Sequence, residues 1–294
     1  MAEFTLTGLR VLREVAAQGS FTGAAERLGY TQSAVSRQVA ALETAAGTQL
    51  FQRTARGVRL TEAGHVLLRH ADAVLDRVDA ARHDLDNLRG QVAGRLRVGA
   101  FPTAMAALLP QAISRARQIE VTLREGTTPA QLRRVRAGTL GLAVVGGVTD
   151  DPGLHLDPLP PDPLLLAVAR DHPLAGVRAV AFEQLAAETW IAGSANPEET
   201  FLAPWRPRVG FVVREWTAKL GLVAAGLGVT VVPGLAATSV RADIALIRIS
   251  DPEATRAVAV ATRDRTETTR AFADVLHDVA ADLAVALRHR LQDR

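Results

Sequence analysis

The chain has 294 residues, 48% of them apolar, enough for two or three domains with real cores and too many for wholesale disorder. No run approaches ~18 uninterrupted apolar residues, the first fifteen residues lack a basic segment leading into an apolar one, and cysteine is absent. The sequence therefore predicts a cytoplasmic protein with no membrane span, signal peptide, disulfide or thiolate site.

Formal net charge is only +3, yet the isoelectric point is about 10.3. The 34 basic residues include one lysine, Lys219; the other 33 are arginines. With one tyrosine and no cysteine, little titrates between about pH 8 and 10, so a small positive charge persists far up the scale. The distribution says more: residues 1–60 carry seven arginines against four acids, whereas 61–90 carry four against six.

From Thr5 to Ala17, Leu6, Leu9, Leu12, Val15 and Ala16 recur with a helical period, and Gly19 is the expected stop. Thr22 is read as the cap of a short helix closed by Gly29, and Thr31 as the cap of a third helix running to about Ala46. Three short helices, the last two separated by "GYT", outline a helix-turn-helix. "LFQRTARGVRLT" (50–61) places apolar residues on either side of "ARG" and reads as a two-stranded wing carrying Arg53, Arg56 and Arg59. From Thr61 to Gly90, Leu67, Ala71, Val74, Val78, Ala81, Leu85 and Leu88 form a heptad seam on one long helix. So narrow a stripe asks for a partner, most simply a second copy; packing on its own domain is the alternative.

The remaining two hundred residues alternate strand-like and helix-like segments. "RLRVGAF", "EVTLRE" and "LGLAVVGG" are strand-like, and 103–117 and "PAQLRRVRAG" helix-like. "WIAG", "RVGFVV", "VTVVPG" and "AVAVAT" add strands, "AKLGLVAAGLG" a helix, and the chain closes on a long helix. The pattern predicts two α/β lobes with a largely parallel sheet. Lobe I comprises 91–163 plus the last helix, 263–294, and lobe II 164–262. Two crossings between lobes make a hinge, and hinged lobes close on ligands.

The search for chemistry finds little. The seven histidines form no H-E-x-x-H, there is no G-x-S-x-G, P-loop or G-x-G-x-x-G, and "GLGVTVVPG" follows a helix rather than a strand. No catalytic set, metal site or cofactor is expected.

"SFTGAAERLGYTQSAVSRQVAALETAAGTQLFQRTARGVRLTEAG" (20–64) resembles the winged helix-turn-helix of LysR-type transcriptional regulators, through "SFTGAAERL", "TQSAVSRQVAALE", "LFQR" and "LTEAG" in order. "GRLRVGAF", "EGTTPAQL", "VRAGTLGLAVVG" and "LVAAGLGVTVVP" resemble recurring segments of that family's effector domain. The resemblance covers essentially the whole chain. It departs at Gly141, where the family often has Asp, and over 190–205.

The resemblance implies a multidomain protein. An N-terminal all-α winged helix-turn-helix (1–60) leads into a long linker helix that dimerises (61–90). A C-terminal α/β two-lobed, periplasmic-binding-protein-like effector domain follows (91–294). It implies a non-enzymatic regulator that binds promoter DNA as a homotetramer and responds to a small-molecule effector between the lobes. A solute-binding or enzymatic α/β protein with an incidental helical extension is the alternative.

In that family the third helix enters the major groove, which assigns Thr31, Gln32, Ser33, Ser36 and Arg37 to DNA, with Arg53 and Arg56 on phosphate or the minor groove. Capping alone would also account for Thr31. Strand ends and helix starts assign the effector to Phe101, Pro102, Thr103, Thr128 and Gly146 on lobe I. On lobe II they assign it to Ala192, Gly193, Trp216, Val232 and Pro233. Packing or capping would explain these positions as well. Because few charges fall there, an acidic effector would be held mainly by backbone N–H and hydroxyl groups, with its apolar part against Phe101 and Trp216. In "WIAGSANPEETFLAPW" the two tryptophans, Asn196 and Phe201 read either as ligand contacts or as packing.

Overall fold

Thr5, Ser20 and Thr31 start the first three helices. Each holds an extended backbone, and its side-chain oxygen accepts an amide hydrogen from the first turn: from Gly8 at 3.0 Å, Gly23 at 2.9 Å and Ala34 at 3.2 Å. The helices are α1 (Leu6–Gln18), α2 (Phe21–Leu28) and α3 (Gln32–Ala46), each ended by a left-handed glycine, Gly19, Gly29 and Gly47. The cap of α2 is thus Ser20 rather than Thr22, which lies inside its first turn. The computed structural model describes residues 3–54, 57–88, 94–196 and 200–292; the side chains of 80 and 82–88 lie outside that description.

The wing is the antiparallel pair β1 (Phe51–Thr54) and β2 (Gly57–Leu60), with Phe51 opposite Leu60. Two tethers fix it. Glu43 Oε1 accepts the Leu50 and Phe51 amides at 2.8 and 3.2 Å, and Val58 N–H donates to the Gly19 carbonyl at 2.9 Å. A Cβ on Gly57 would lie 2.3 Å from that carbonyl oxygen, so the close approach requires glycine.

Helix α4 (Glu62–Leu88) divides the heptad seam. Leu67, Ala71 and Leu75 pack with Leu9, Leu12, Val35, Val39 and Leu42 into the core of the helical domain. Val74 is 44% exposed, Val78 is half-buried and Ala81 is exposed, while the side chains of Leu85 and Leu88 lie outside the description. The N-terminal third of the seam is therefore intramolecular: a helix that packs against its own domain follows its 3.6-residue period, which brings Leu75 inward beside Ala71 and turns Val74 out.

Proximity divides the chain into two units, Met1–Ala93 with Ala137–Thr139, and Gly94–Arg136 with Leu140–Arg294. The second begins with β3 (Arg95–Ala100), α5 (Pro102–Ala106), α6 (Leu108–Arg115), β4 (Glu120–Glu125), α7 (Thr128–Arg136), β5 (Leu142–Gly146) and β6 (His155–Pro158). The expected single helix over 103–117 is two, because proline is tolerated only in a first turn and the helix restarts at Leu108 to put Pro110 there. There follow β7 (Asp162–Ala169), β8 (Ala179–Val180), β9 (Trp190–Ala192), β10 (Val209–Val212), α8 (Trp216–Ala224), β11 (Thr230–Pro233), β12 (Ile244–Ile249), β13 (Thr255–Arg256), β14 (Val258–Thr262) and α9 (Glu267–Gln292).

Lobe I is a five-stranded sheet in the order β4-β3-β5-β14-β6; lobe II contains β11-β7-β12-β8, with β13 on the start of β7 and a separate β9-β10 pair. Two expectations change. "AVAVAT" is β14, paired with β5 and β6 in lobe I rather than in lobe II, so the return crossing precedes it. The sheets are also mixed rather than largely parallel. The β3-β4 and β3-β5 pairs are parallel, but β14 runs antiparallel to its neighbours and β7 antiparallel to β11 and β12, because the chain reverses at each crossing. Helix α9 does return to lobe I through Phe272, Leu276, Val279 and Leu283, and its end carries Leu287 into the lobe II core. No helix among the described residues is long and apolar enough to cross a membrane.

Candidate nucleic-acid interface and effector site

Helix α3 has two faces. Val35, Val39 and Leu42 are buried against α1 and α2, while Thr31, Gln32, Ser33 and Arg37 are exposed and Ser36 is half-buried. The polar residues are cross-linked: Gln32 Nε2 donates to Ser36 Oγ at 3.1 Å, and the Thr31 and Ser33 hydroxyls lie 3.1 Å apart. Gln32 is thereby steadied at the helix start, where a groove-entering helix meets base edges. On the wing Arg53 and Arg59 are exposed; Arg56 lies outside the described residues. Ser36, Gln52 and Arg53 line one open groove between α3 and the wing. A helix front of amide, hydroxyl and guanidinium groups beside a cationic hairpin matches the edges and phosphates of a duplex.

In the C-terminal unit the positions assigned to lobe I converge. Phe101 precedes α5, with Pro102 exposed in the first turn. The Phe101 ring lies 3.4 Å from where a Cβ on Gly146 would sit, and the Gly146 amide donates to Thr128 Oγ1 at 3.1 Å, joining the end of β5 to the start of α7. Thr103 Oγ1 accepts from Arg256 Nη2 at 2.7 Å. The Arg256 guanidinium stands 4.3 Å above the Phe101 ring and 5.1 Å from that of Phe201, which comes from lobe II. Its counter-charge is Asp162 at 2.7 Å, on the first crossing between lobes, whose other oxygen accepts the Leu235 amide at 2.8 Å. Burial pushes the Asp162 carboxyl up from its ordinary value, while the Arg256 charge and the Leu235 and Gly234 amides oppose it. Burial likewise lowers Arg256, against the pull of Asp162. A guanidinium keeps its proton in a protein, so the pair is ionic.

The lobe II positions divide. Val232 is fully buried in the lobe core, paired with Leu165, and Ala192 is 3% exposed in the opposite core; both side chains pack. Pro233 is buried and precedes a 3-10 turn at the crossing. Gly193 and Trp216 remain half-exposed beside Lys219. Helix α8 starts at Trp216, two residues before the sequence places it, because the Glu215 carboxylate caps the Thr217 and Ala218 amides at 2.7 and 3.1 Å. Both tryptophans of "WIAGSANPEETFLAPW" pack: Phe182 stacks on Trp190 at 4.9 Å and on Trp205 at 4.4 Å, forming a three-ring pile in lobe II.

Two family models match this chain. "Bacterial regulatory helix-turn-helix protein, lysR family" spans residues 6–65, and "LysR substrate binding domain" spans 89–281. The chain is a LysR-type transcriptional regulator. Among its relatives, CatR of Pseudomonas putida is 33% identical over 88% of this chain and 92% of its own length. A probable RuBisCO transcriptional regulator of Cyanophora paradoxa is 35% identical over 66% of this chain and 62% of its own length. Of the solved structures, a C206 mutant of Corynebacterium glutamicum OxyR superposes with a TM-score of 0.60 at 27% identity, covering 97% of this chain and 94% of that one.

Like those relatives, this regulator joins a DNA-binding head to an effector-binding domain. Three charged residues were not marked by the sequence: Asp162 and Arg256, paired where the chain passes between lobes, and Lys219, beside Gly193 and Trp216. Asp162 lies in the proline-rich "DPLPPDP" (157–163), which has no local pattern that marks a buried carboxylate. Arg256 lies 94 residues beyond its partner, and no local pattern marks it. Lys219 carried a signal that went unused, as the single lysine among 34 basic residues.

Proposed function

We propose that the regulator reads promoter DNA with the exposed front of α3. In this reading Gln32 bonds an adenine edge, Arg37 a guanine edge or a phosphate, and Ser33 and Ser36 the backbone; Thr31 combines capping with contact. Arg53 and Arg56 neutralise phosphates or enter the minor groove beside the wing. Val74, Val78 and Ala81 lead the part of α4 that pairs with a second copy, and dimers assemble into a tetramer in the cytoplasm. A small effector lies between the lobes, against Phe101, Thr103, Thr128 and Gly146 on one side and Gly193 and Trp216 on the other. It binds and leaves unchanged, and its preference for one lobe arrangement over another is what alters transcription.

The observation that carries the DNA reading is the α3 front: Gln32, Ser33 and Arg37 are exposed together over a helix whose opposite face is fully buried. The effector reading rests on Arg256, held by Thr103 and Phe101 of lobe I and Phe201 of lobe II. The full chain should bind a partly palindromic site near the genes it controls, with affinity falling steeply as salt rises. Sequence-specific binding that survived Arg37→Ala unchanged would overturn the α3 assignment.

A further inference from the structure

Arginine fills 33 of the 34 basic positions in this chain, and the exception is Lys219. Lys219 is thus the chain's single ammonium side chain, a compact, rotatable point charge.

The structure places that ammonium on lobe II beside Gly193 and Trp216, two residues of the effector site proposed above. Lys219 is half-buried on α8, and its Nζ lies 3.6 Å from where a Cβ on Gly193 would stand, just past the end of β9. The same Nζ lies over the Trp216 ring, 5.9 Å from its centroid. Glu215, four residues earlier, has the spacing of a helical ion pair, but its carboxylate is engaged with Thr217 and Ala218 at the helix start. Among the described residues no carboxylate pairs with Lys219. Burial lowers its pKa from the ordinary lysine value, with no anion opposing the shift. A partly desolvated charge without a counter-ion is costly to maintain and is compensated when an anion arrives.

We propose that Lys219 binds the carboxylate of a small aryl-substituted organic acid on lobe II, with the Trp216 ring as the wall for the apolar part. Gly193 keeps this approach to the ammonium clear of a side chain, whose Cβ would stand in contact with Nζ at 3.6 Å. This deepens the effector reading above and rests on it; it also replaces the expectation that backbone and hydroxyl groups alone would hold an acid.

The test uses the full chain and a panel of three acids, phenylacetate, 3-phenylpropionate and indole-3-acetate, each beside its neutral carboxamide. Calorimetry should show at least one acid bound at least tenfold more tightly than its amide. That preference should vanish in Lys219→Met and persist in Lys219→Arg, with the melting temperature of each ligand-free variant reporting intact folding. Reductive methylation with ¹³C-formaldehyde labels one side chain besides the amino terminus, and that resonance should move when the acid is added. Acid preference that survives in a folded Lys219→Met, equal binding of acid and amide, or binding of no panel member would each overturn the assignment. Acid preference that survived in a folded Lys219→Met would leave the effector reading standing and overturn only the role of Lys219, whereas binding of no panel member would count against both, so the two failures are distinguishable.

Discussion

Arg256 and Asp162 meet at 2.7 Å where the chain passes between lobes, one on each crossing. Asp162 has a side chain 1% exposed and Arg256 one of 13%, so water offers little compensation to either charge. Removing one member of such a pair leaves the other buried and unpaired, at a cost of about 3–5 kcal/mol. Asp162→Asn keeps an acceptor for Leu235 but loses the charge, and we expect the C-terminal unit to lose about 3 kcal/mol. All three tryptophans lie in that unit, so their fluorescence during urea unfolding reports on it directly. An unchanged midpoint would mean that the pair contributes nothing to the hinge.

Glu43 does for the DNA-binding head what Asp162 does for the hinge. One carboxylate oxygen takes two amides at the root of the wing, and so fixes Arg53 relative to α3. Glu43→Ala leaves two part-buried donors unmet, a loss of about 1–3 kcal/mol in domain stability. Glu43→Gln retains an acceptor and should cost less. Promoter affinity should fall in the same order, through the placement of the wing. Equal affinity for the wild-type chain and Glu43→Ala would show that the wing is placed by its other tether.

What could be read in advance follows the range of the rules. Helix ends are local: a hydroxyl before a helix and a glycine after it fix Thr31 and Gly29, and one near miss, Thr22 for Ser20, came from two candidate hydroxyls two residues apart. Strand partners are not local. "AVAVAT" reads the same in either lobe, and only its pairing with β5 and β6 places it. The charges between the lobes were the least legible because they are assembled from afar, Arg256 reaching Thr103 across 153 residues. Periodicity located the apolar stripe of α4, yet it could not say which part of the stripe faces the helix's own domain.

That division of α4 separates two neighbouring residues by role. Leu75 is 2% exposed in the domain core, so Leu75→Ala should cost about 2–5 kcal/mol and lower the melting temperature of the head. Val74, 44% exposed, bears on no such core; Val74→Glu should leave melting of the isolated head nearly unchanged but shift sedimentation of the full chain toward monomer. If Val74→Glu sedimented as the wild type, the partner surface would lie elsewhere on the helix or in the C-terminal unit.

The two kinds of contact proposed for the head predict different losses. Gln32 is exposed at the start of α3 and braced by Ser36, a geometry suited to one base edge. Gln32→Ala should cost about 1–3 kcal/mol on the best site and much less on sequences altered at the base it reads. Arg53 stands exposed on the wing strand, suited to a phosphate. Arg53→Ala should weaken binding to all sequences alike and reduce the slope of log affinity against log salt by about 1. Measuring both variants on a matched and a scrambled site, at several salt concentrations, tells the roles apart. If Arg53→Ala relaxed specificity and left the salt slope intact, the wing would be reading bases.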